Sequence, residues 1–365
     1  MNSAGNIKHV FPGSNTPQGF VSFFSYILSQ NEANKIYSIK GGPGTGKSSF
    51  MKRVGNYLVD QGIDVEFFHC SSDPNSLDGI CIPSLKIAMV DGTAPHVIDP
   101  IHPGAVDVIL NFGCLWDEAK VKNYRESIIE STTKIGRTFK KAYFYLASAK
   151  NIYDGYLFTE ETAIDELAKV NLENAILTDI FKNIKPTGTL GSDRHLFSSA
   201  ITPEGFVDYL TSIIGKTKNT YFFKETLGCN SKNLMNQIRD KATSLGYKIE
   251  CYHSPIDTLK IEDLIIPELD IAITTSNPFH KAKIFPTHIY DFTNCLISSL
   301  LKDIQPDLDK DKKLMTELFN KGINTISLSH KMHDILEAYY ISAIDFSEVE
   351  PIFNNVIEEI LSFKK

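Results

Sequence analysis

The residues from Gly41 to Ser48 have types and spacing that suit phosphate chemistry. They spell G-G-P-G-T-G-K-S and fit the pattern G-x-x-x-x-G-K-[ST]. Glycines let backbone N–H groups approach an anion without an obstructing Cβ, and the N-terminus of a following helix favours negative charge. The pattern predicts a phosphate-binding loop formed by Gly41, Gly42, Pro43, Gly44, Thr45, Gly46, Lys47, Ser48 and Ser49.

Three side chains are expected to act together with the backbone of this loop. Lys47 is expected to reach the β- and γ-phosphates of a nucleoside triphosphate, with ATP as the favoured substrate. Ser48 is expected to place its hydroxyl on Mg²⁺, and Asp91, at the end of an apolar run, to hold that ion or its water. The predicted cofactor is therefore Mg²⁺.

Phosphoryl transfer also needs a group that orients the attacking water or accepts a proton. Asp73 follows a predicted strand and is expected at the carboxyl edge of the sheet, where ligands of open α/β sheets bind. We therefore predict Asp73 as a catalytic residue alongside Lys47 and Asp91, with Asp78 as a less favoured substitute.

Four further side chains are weaker candidates for the same chemistry. Histidines in such positions are more often hydrogen-bonded structural residues, and arginines outside the loop are more often solvated. These four residues are His69, His96, Arg53 and Arg137.

The elements expected around the loop are those of an α/β sheet. A helix is predicted from the loop to about Asp60, closed by Gly62, and another begins at Thr16 with Pro17 in its first turn. This order of elements favours a parallel sheet flanked by helices. Strands are predicted at residues 36–40, 65–69 and 87–91.

The second half of the chain repeats the first. A block H-x-F through T-P-x-G-F-V recurs at a shift of 195 − 9 = 186 residues, and from Lys40 onward the shift is 224 − 40 = 184. Repeats of this kind predict two homologous lobes. We expect an α/β fold of two P-loop NTPase-like lobes, each followed by a helical segment. The expected boundaries are 1–115, 116–190, 191–295 and 296–365.

The second lobe lacks the chemistry of the first. At the 184-residue shift, Lys47 aligns with Ser231 and Asp91 with Thr275, while Glu225 stands at the start of the loop where an anion would approach. Lys232 is one position away from the lysine that is missing. One working site and one degenerate site are therefore predicted.

Composition excludes several classes of protein. The chain is 42% hydrophobic and 22% charged, which is typical of globular domains. A net charge of −7 with only five arginines argues against an extended nucleic-acid surface. No apolar run is long enough for a membrane span, so a cytoplasmic protein is expected. The six cysteines are too scattered for a zinc site or a disulfide framework.

Four sequence blocks together resemble a largely uncharacterised family of bacterial tandem P-loop ATPases. They are H-x-F…T-P-x-G-F from His9, the loop from Gly41, H-C-S-S-D-P-x-S-L-D-G from His69 and D-G-T-A-P-H from Asp91. The resemblance covers nearly the whole chain and implies nucleotide binding with hydrolysis, without naming a process. The chain departs from it at residues 228–232, where members can carry a second intact loop.

These observations leave three functions open. The first is an ATPase whose degenerate lobe serves as scaffold, regulator or partner surface. The second is a kinase for a small molecule or nucleotide, with its acceptor bound by residues 70–80. The third is a nucleotide-sensing protein that acts through a protein partner or as a homo-oligomer.

Overall fold

The computed structural model describes residues 3–93 and 98–364 and shows an α/β protein. The strands are β1 Ile7–Val10, β2 Gly13–Thr16, β3 Gly19–Ser22, β4 Lys35–Lys40, β5 Val65–Cys70, β6 Asp73–Ile82, β7 Ile87–Asp91, β8 Asp107–Asn111, β9 Asp193–Leu196, β10 Ser199–Thr202, β11 Gly205–Asp208, β12 Asn219–Lys224, β13 Ile249–His253, β14 Ile261–Ile266, β15 Ile271–Ser276 and β16 His288–Asp291. The helices are α1 Lys47–Asp60, α2 Glu118–Lys122, α3 Arg125–Glu161, α4 Glu166–Phe181, α5 Leu210–Ile214, α6 Lys232–Ser244, α7 Ser298–Ile341 and α8 Val349–Ser362.

Two six-stranded sheets have the same strand order. The first runs β1-β5-β6-β7-β4-β8, and the second runs β9-β13-β14-β15-β12-β16, strand for strand its counterpart. Predicted strands at 36–40, 65–69 and 87–91 correspond to β4, β5 and β7. The structure therefore contains two sheet-bearing lobes related by the sequence repeat.

The prediction of a parallel sheet is wrong for one strand in each lobe. β6 pairs antiparallel with both β5 and β7, and β14 pairs antiparallel with both β13 and β15. The connections at both ends of these strands are short, and a short connection joins only antiparallel neighbours. Residues 73–82 therefore form an antiparallel strand at the centre of the sheet.

The helix expected at Thr16 is a β-hairpin instead. The Thr16 hydroxyl accepts a hydrogen bond from the backbone N–H of Gln18 at 3.1 Å and donates to the carbonyl of Gly19 at 2.7 Å. Gly19 has a φ of +104°, a conformation that favours glycine. The T-P-x-G segment thus forms the turn between β2 and β3 and does not begin a helix.

The two hairpins form a third sheet shared by both halves. Its order is β11-β10-β2-β3, with β10 and β2 meeting at Ile201 and Asn15. Beside it, Phe11 and Phe197 exchange backbone hydrogen bonds at 3.0 Å. The halves are joined by a continuous ladder of strands and by buried apolar side chains from both repeats.

The helical segments cross from one half to the other. α3 and α7 pack along each other, and a polar contact joins Ser329 to the carbonyl of Ile135. α4 then packs into the core of the second lobe, while α8 packs into the core of the first. Each sheet is therefore covered by a helix that follows the other sheet in the chain.

In the described ranges, no helix combines the length and apolarity needed to cross a membrane.

Candidate functional site

The predicted phosphate loop joins β4 to α1 in the first lobe. Gly44 and Gly46 have φ values of +70° and +82°, so both positions require glycine for conformational reasons. The Thr45 hydroxyl donates to the carbonyl of Gly42 at 2.9 Å and holds the turn closed. Gly46 precedes the first helical residue, and its carbonyl accepts the N–H of Phe50 at 2.8 Å. The loop therefore ends at a helix N-terminus, where backbone N–H groups are available to an anion.

Lys47 and Asp91 meet at this loop. The Lys47 ammonium donates to the carbonyls of Gly41 at 2.8 Å and Gly42 at 2.9 Å, and its Nζ lies 3.5 Å from Asp91 Oδ2. β4 and β7 are direct neighbours, with Ile39 opposite Asp91 in the parallel register. Neighbouring parallel strands end at the same edge, so the sheet itself places the carboxylate beside the loop.

Two oxygen-bearing side chains at this edge, Ser48 and Asp91, are the candidates to hold Mg²⁺. Ser48 Oγ accepts the backbone N–H of Leu77 at 2.9 Å, which fixes the position of the hydroxyl. Asp91 Oδ1 accepts the N–H of Thr93 at 2.9 Å and also the Thr93 hydroxyl, while Oδ2 faces Lys47. One hydroxyl and one carboxylate match the few protein ligands that Mg²⁺ takes beside water and phosphate oxygens. In the described ranges, no group of three or more His, Cys, Asp or Glu side chains could hold a metal ion.

Asp73 is engaged within its own turn. Its carboxylate accepts the N–H of Asn75 at 3.1 Å and the hydroxyl of Ser76 at 2.5 Å. These bonds shape the start of β6, where Cys70 pairs with Asp73. The bonds give Asp73 a structural role in this turn. The same structural role accounts for the aspartate, Asp257, at the aligned position of the second lobe.

Asp78 is a buried carboxyl group on β6, two strands from β4, which leads into the loop. It precedes Gly79, which pairs with Val90 on the strand that ends at Asp91. Burial raises the pKa of Asp78 to about 8, and the charge of Asp91 adds to this, while the Cys70 thiol and the Lys47 ammonium oppose it. A strongly perturbed acid at a candidate site is a mark of functional residues. Sequence reasoning ranked Asp78 below Asp73, because β6 was not predicted.

His69 is a structural residue. Its Nδ1 bonds the carbonyl of Pro74 at 2.8 Å and its Nε2 bonds Nδ1 of His9 at 2.8 Å. Burial lowers the pKa of His69 to about 4, so the ring is neutral at pH 7. His195 and His253 form the same pair at 2.7 Å in the second lobe.

The two arginines lie away from the loop chemistry. Arg53 makes a bidentate ion pair with Glu350 of α8, in which Nη1 and Nη2 lie 2.6 and 2.8 Å from the two carboxylate oxygens. Arg137 is exposed on α3. His96, which was also considered, lies outside the described residues.

The C-terminal end of α7 packs against the phosphate loop at Gly44. Glu337 Oε1 accepts the backbone N–H of Gly44 at 3.3 Å, and a Cβ built on Gly44 would stand 2.8 Å from a side-chain carbon of Ile341. Trp116 packs on Gly42 and against Tyr340, with ring centroids 5.4 Å apart. Sequence reasoning missed these residues, since 293 positions separate Gly44 from Glu337.

The second loop is filled by its own carboxylates. Glu225 Oε2 accepts the N–H of Ser231 at 2.8 Å, and its other oxygen is paired with the buried Lys260. Gly228 donates its N–H to Glu160 of α3 at 2.6 Å. Lys232, one position after Ser231 in the chain, is 2.7 Å from Asp257. Backbone donors that would bind a phosphate therefore already have anionic partners.

No family model, no curated protein and no solved structure matches this chain.

Proposed function

We propose that the first lobe is a P-loop NTPase unit that binds and hydrolyses a Mg-nucleoside triphosphate, with ATP as the favoured nucleotide. The second lobe acts as scaffold or regulator. One observation supports this most directly: Lys47 and Asp91 lie 3.5 Å apart at a glycine-rich turn that opens into a helix. The sequence resemblance to tandem P-loop ATPases points in the same direction.

Binding would use groups that are already positioned. The Lys47 ammonium now bonds two loop carbonyls, and a bound β- or γ-phosphate offers it a stronger, charged acceptor. Loop N–H groups and the N-terminus of α1 supply further donors for the phosphates. Ser48 and Asp91 would hold Mg²⁺, which neutralises charge on the transferring phosphoryl group when it is bound.

Asp78 is the better supported group for orienting the attacking water. It lies on β6 and its pKa responds to the charges of Asp91 and Lys47, whereas the Asp73 carboxylate is tied into its own turn. In the hydrolysis we propose, water oxygen bonds to the γ-phosphorus, the bond to the β–γ bridging oxygen breaks, and the water proton is taken up by a carboxylate or phosphate oxygen.

A nucleotide-sensing role is the second candidate. It is favoured by the contact of Glu337 and Ile341 with the loop, because a helix end that rests on a nucleotide site can report its occupancy. In this case the protein would bind Mg-nucleotide with little turnover.

The test is Mg-dependent release of phosphate from ATP and GTP, together with a search for phosphorylated products. Wild type is compared with Lys47→Ala, Asp91→Asn and Asp78→Asn. Phosphate release that depends on Lys47 supports an ATPase, and Lys47-dependent binding without turnover supports the sensor. A phosphorylated acceptor would show that the protein is a kinase, and absence of nucleotide binding would contradict the proposal.

A further inference from the structure

The carboxylate of Glu337 occupies a donor that the phosphate loop needs. The Gly44 N–H lies within the phosphate loop and donates to Glu337 Oε1 at 3.3 Å. One N–H group has a single strong acceptor at a time, and a phosphate oxygen and a carboxylate oxygen also repel each other. A triphosphate seated on the loop and Glu337 in its present place therefore exclude one another.

The rest of the α7 end blocks the same face. A Cβ on Gly44 would lie 3.1 Å from the Glu337 carbonyl and 2.8 Å from Ile341, and one on Gly46 would lie 3.4 Å from Phe346. Contacts this close leave little room between the helix end and the loop. Displacement of the Glu337 side chain is thus expected to shift the backbone of α7 as well.

We propose that Glu337 is an internal competitor for the nucleotide site and that binding of Mg-triphosphate displaces the C-terminal end of α7 from the loop. This inference rests on the proposed function and adds its regulation. The signal passes from nucleotide to helix, because the helix end and the nucleotide use the same backbone donor.

In the second lobe a buried glutamate likewise accepts the N–H of a loop glycine. Glu160, at the end of α3, accepts the N–H of Gly228 at 2.6 Å and is only 2% exposed. Glu225 takes a further loop donor there and is neutralised by Lys260. The Glu337 side chain is 37% exposed, and His333 Nδ1 lies 3.8 Å from its Oε1. The contact in the first lobe is therefore the weaker and the displaceable one.

The helix pair connects these two contacts. α7 brings Glu337 to the first loop, and α3 brings Glu160 to the second. Between them, a Cβ on Gly322 of α7 would lie 2.6 Å from Leu146 of α3, so the helices are in close contact. Movement of the α7 end is expected to change the packing between α3 and α7. This packing couples the degenerate lobe to the nucleotide site of the first lobe.

The first experiment measures affinity for a fluorescent ATP analogue with Mg²⁺ in the full chain. Glu337→Gln keeps the shape of the side chain and removes the charge, so we expect affinity to rise about tenfold, in line with the strength of a charge-assisted hydrogen bond. Asp334→Asn is the matched control, since this exposed residue lies one turn earlier on α7. It should change affinity less than about twofold.

The second experiment follows hydrogen exchange of residues 334–346 with and without Mg-ATP. We expect faster exchange in wild type with nucleotide, and no nucleotide effect in Lys47→Ala. Unchanged affinity in Glu337→Gln, or slower exchange of this segment on binding, overturns the competition while nucleotide binding stands. If neither wild type nor Glu337→Gln binds nucleotide, both the competition and the proposed function fail. Binding by Glu337→Gln alone supports both.

Discussion

The Nζ atom of Lys47 lies 3.5 Å from Oδ2 of Asp91, although 44 residues separate them in the chain. The contact exists because β4 and β7 are adjacent and parallel, so both strands end at the phosphate loop. Asp91 therefore partners the lysine at the site where phosphate charge is expected.

Lys47→Ala should strongly weaken nucleotide binding at the first loop. Loss of a charged donor to phosphate in a partly buried site should weaken the affinity for Mg-ATP by about a hundredfold. The measurement is calorimetric or fluorescence titration. Lys232→Ala in the second loop is the control, because Lys232 is held by Asp257 and should leave the affinity within about twofold. Equal losses in both variants would contradict the assignment of a single working site.

Asp78→Asn should reduce turnover far more than Asp73→Asn. We expect kcat to fall by about a hundredfold in Asp78→Asn with little change in nucleotide affinity, a magnitude typical of the loss of an acid–base or water-orienting group. Asp73→Asn should lower stability by about 1 kcal/mol, because it weakens the turn bonds to Asn75 and Ser76. Single-turnover phosphate release and urea unfolding give the two quantities. The reverse order of kcat effects would restore Asp73 as the catalytic residue.

Local signals in the sequence were enough to predict the loop and its flanking elements. Glycine spacing and apolar runs gave β4, α1, β5 and β7, since these depend on residues near one another in the chain. The repeat gave the correspondence between the two sheets. It also showed that the second loop lacks both Lys47 and Asp91 counterparts.

Features that depend on distant contacts were not predictable in this way. T-P-x-G suits both a helix start and a hairpin turn, and pairing of β2 with β10 of the other half adds support for the hairpin. β6 contains Pro74 and Gly79, which weaken any strand prediction, yet its neighbours on both sides supply the hydrogen bonds. The crossing of the helices, which brings Glu337 to the first loop, follows from packing between the two halves. A single sequence gives no signal for this packing.

A buried charge cluster between the lobes should make stability sensitive to acid. Arg194 bonds Glu66 at 2.7 Å, and Lys8 bridges Glu66 and Glu250 at 3.2 and 2.6 Å. Burial would raise the pKa of Glu66, but the charges of Arg194 and Lys8 outweigh it and lower the pKa to about 2. Because the folded pKa is depressed, the stabilisation is present above the unfolded value near 4.3 and is lost as pH falls toward 2.

Arg194→Met tests this cluster. Removing one partner of a buried ion pair leaves an uncompensated carboxylate, so the free energy of unfolding at pH 7 should fall by about 3 kcal/mol. Urea denaturation between pH 2 and pH 7 measures it, and the variant should lose less stability on acidification than wild type. Lys248→Met breaks the exposed pair with Glu32 and should cost less than about 0.5 kcal/mol. A comparable cost in both variants would show that the cluster adds no stability of its own.

His280 should give the second lobe a stability that declines in alkali. Its Nε2 lies 2.9 Å from Asp263, its Nδ1 lies 3.6 Å from Glu262, and all three side chains are buried. Burial lowers the pKa of His280, but the two carboxylates outweigh this effect and raise the pKa to about 9. Because the folded pKa is raised, the stabilisation is complete below the unfolded value near 6.5 and is lost as pH rises through 9.

Wild type should therefore lose on the order of 2 kcal/mol between pH 6.5 and pH 9.5, measured by urea unfolding. His280→Gln should be less stable at pH 6 and should lack most of this decline. An equally steep decline in the variant would assign the alkaline sensitivity to other groups.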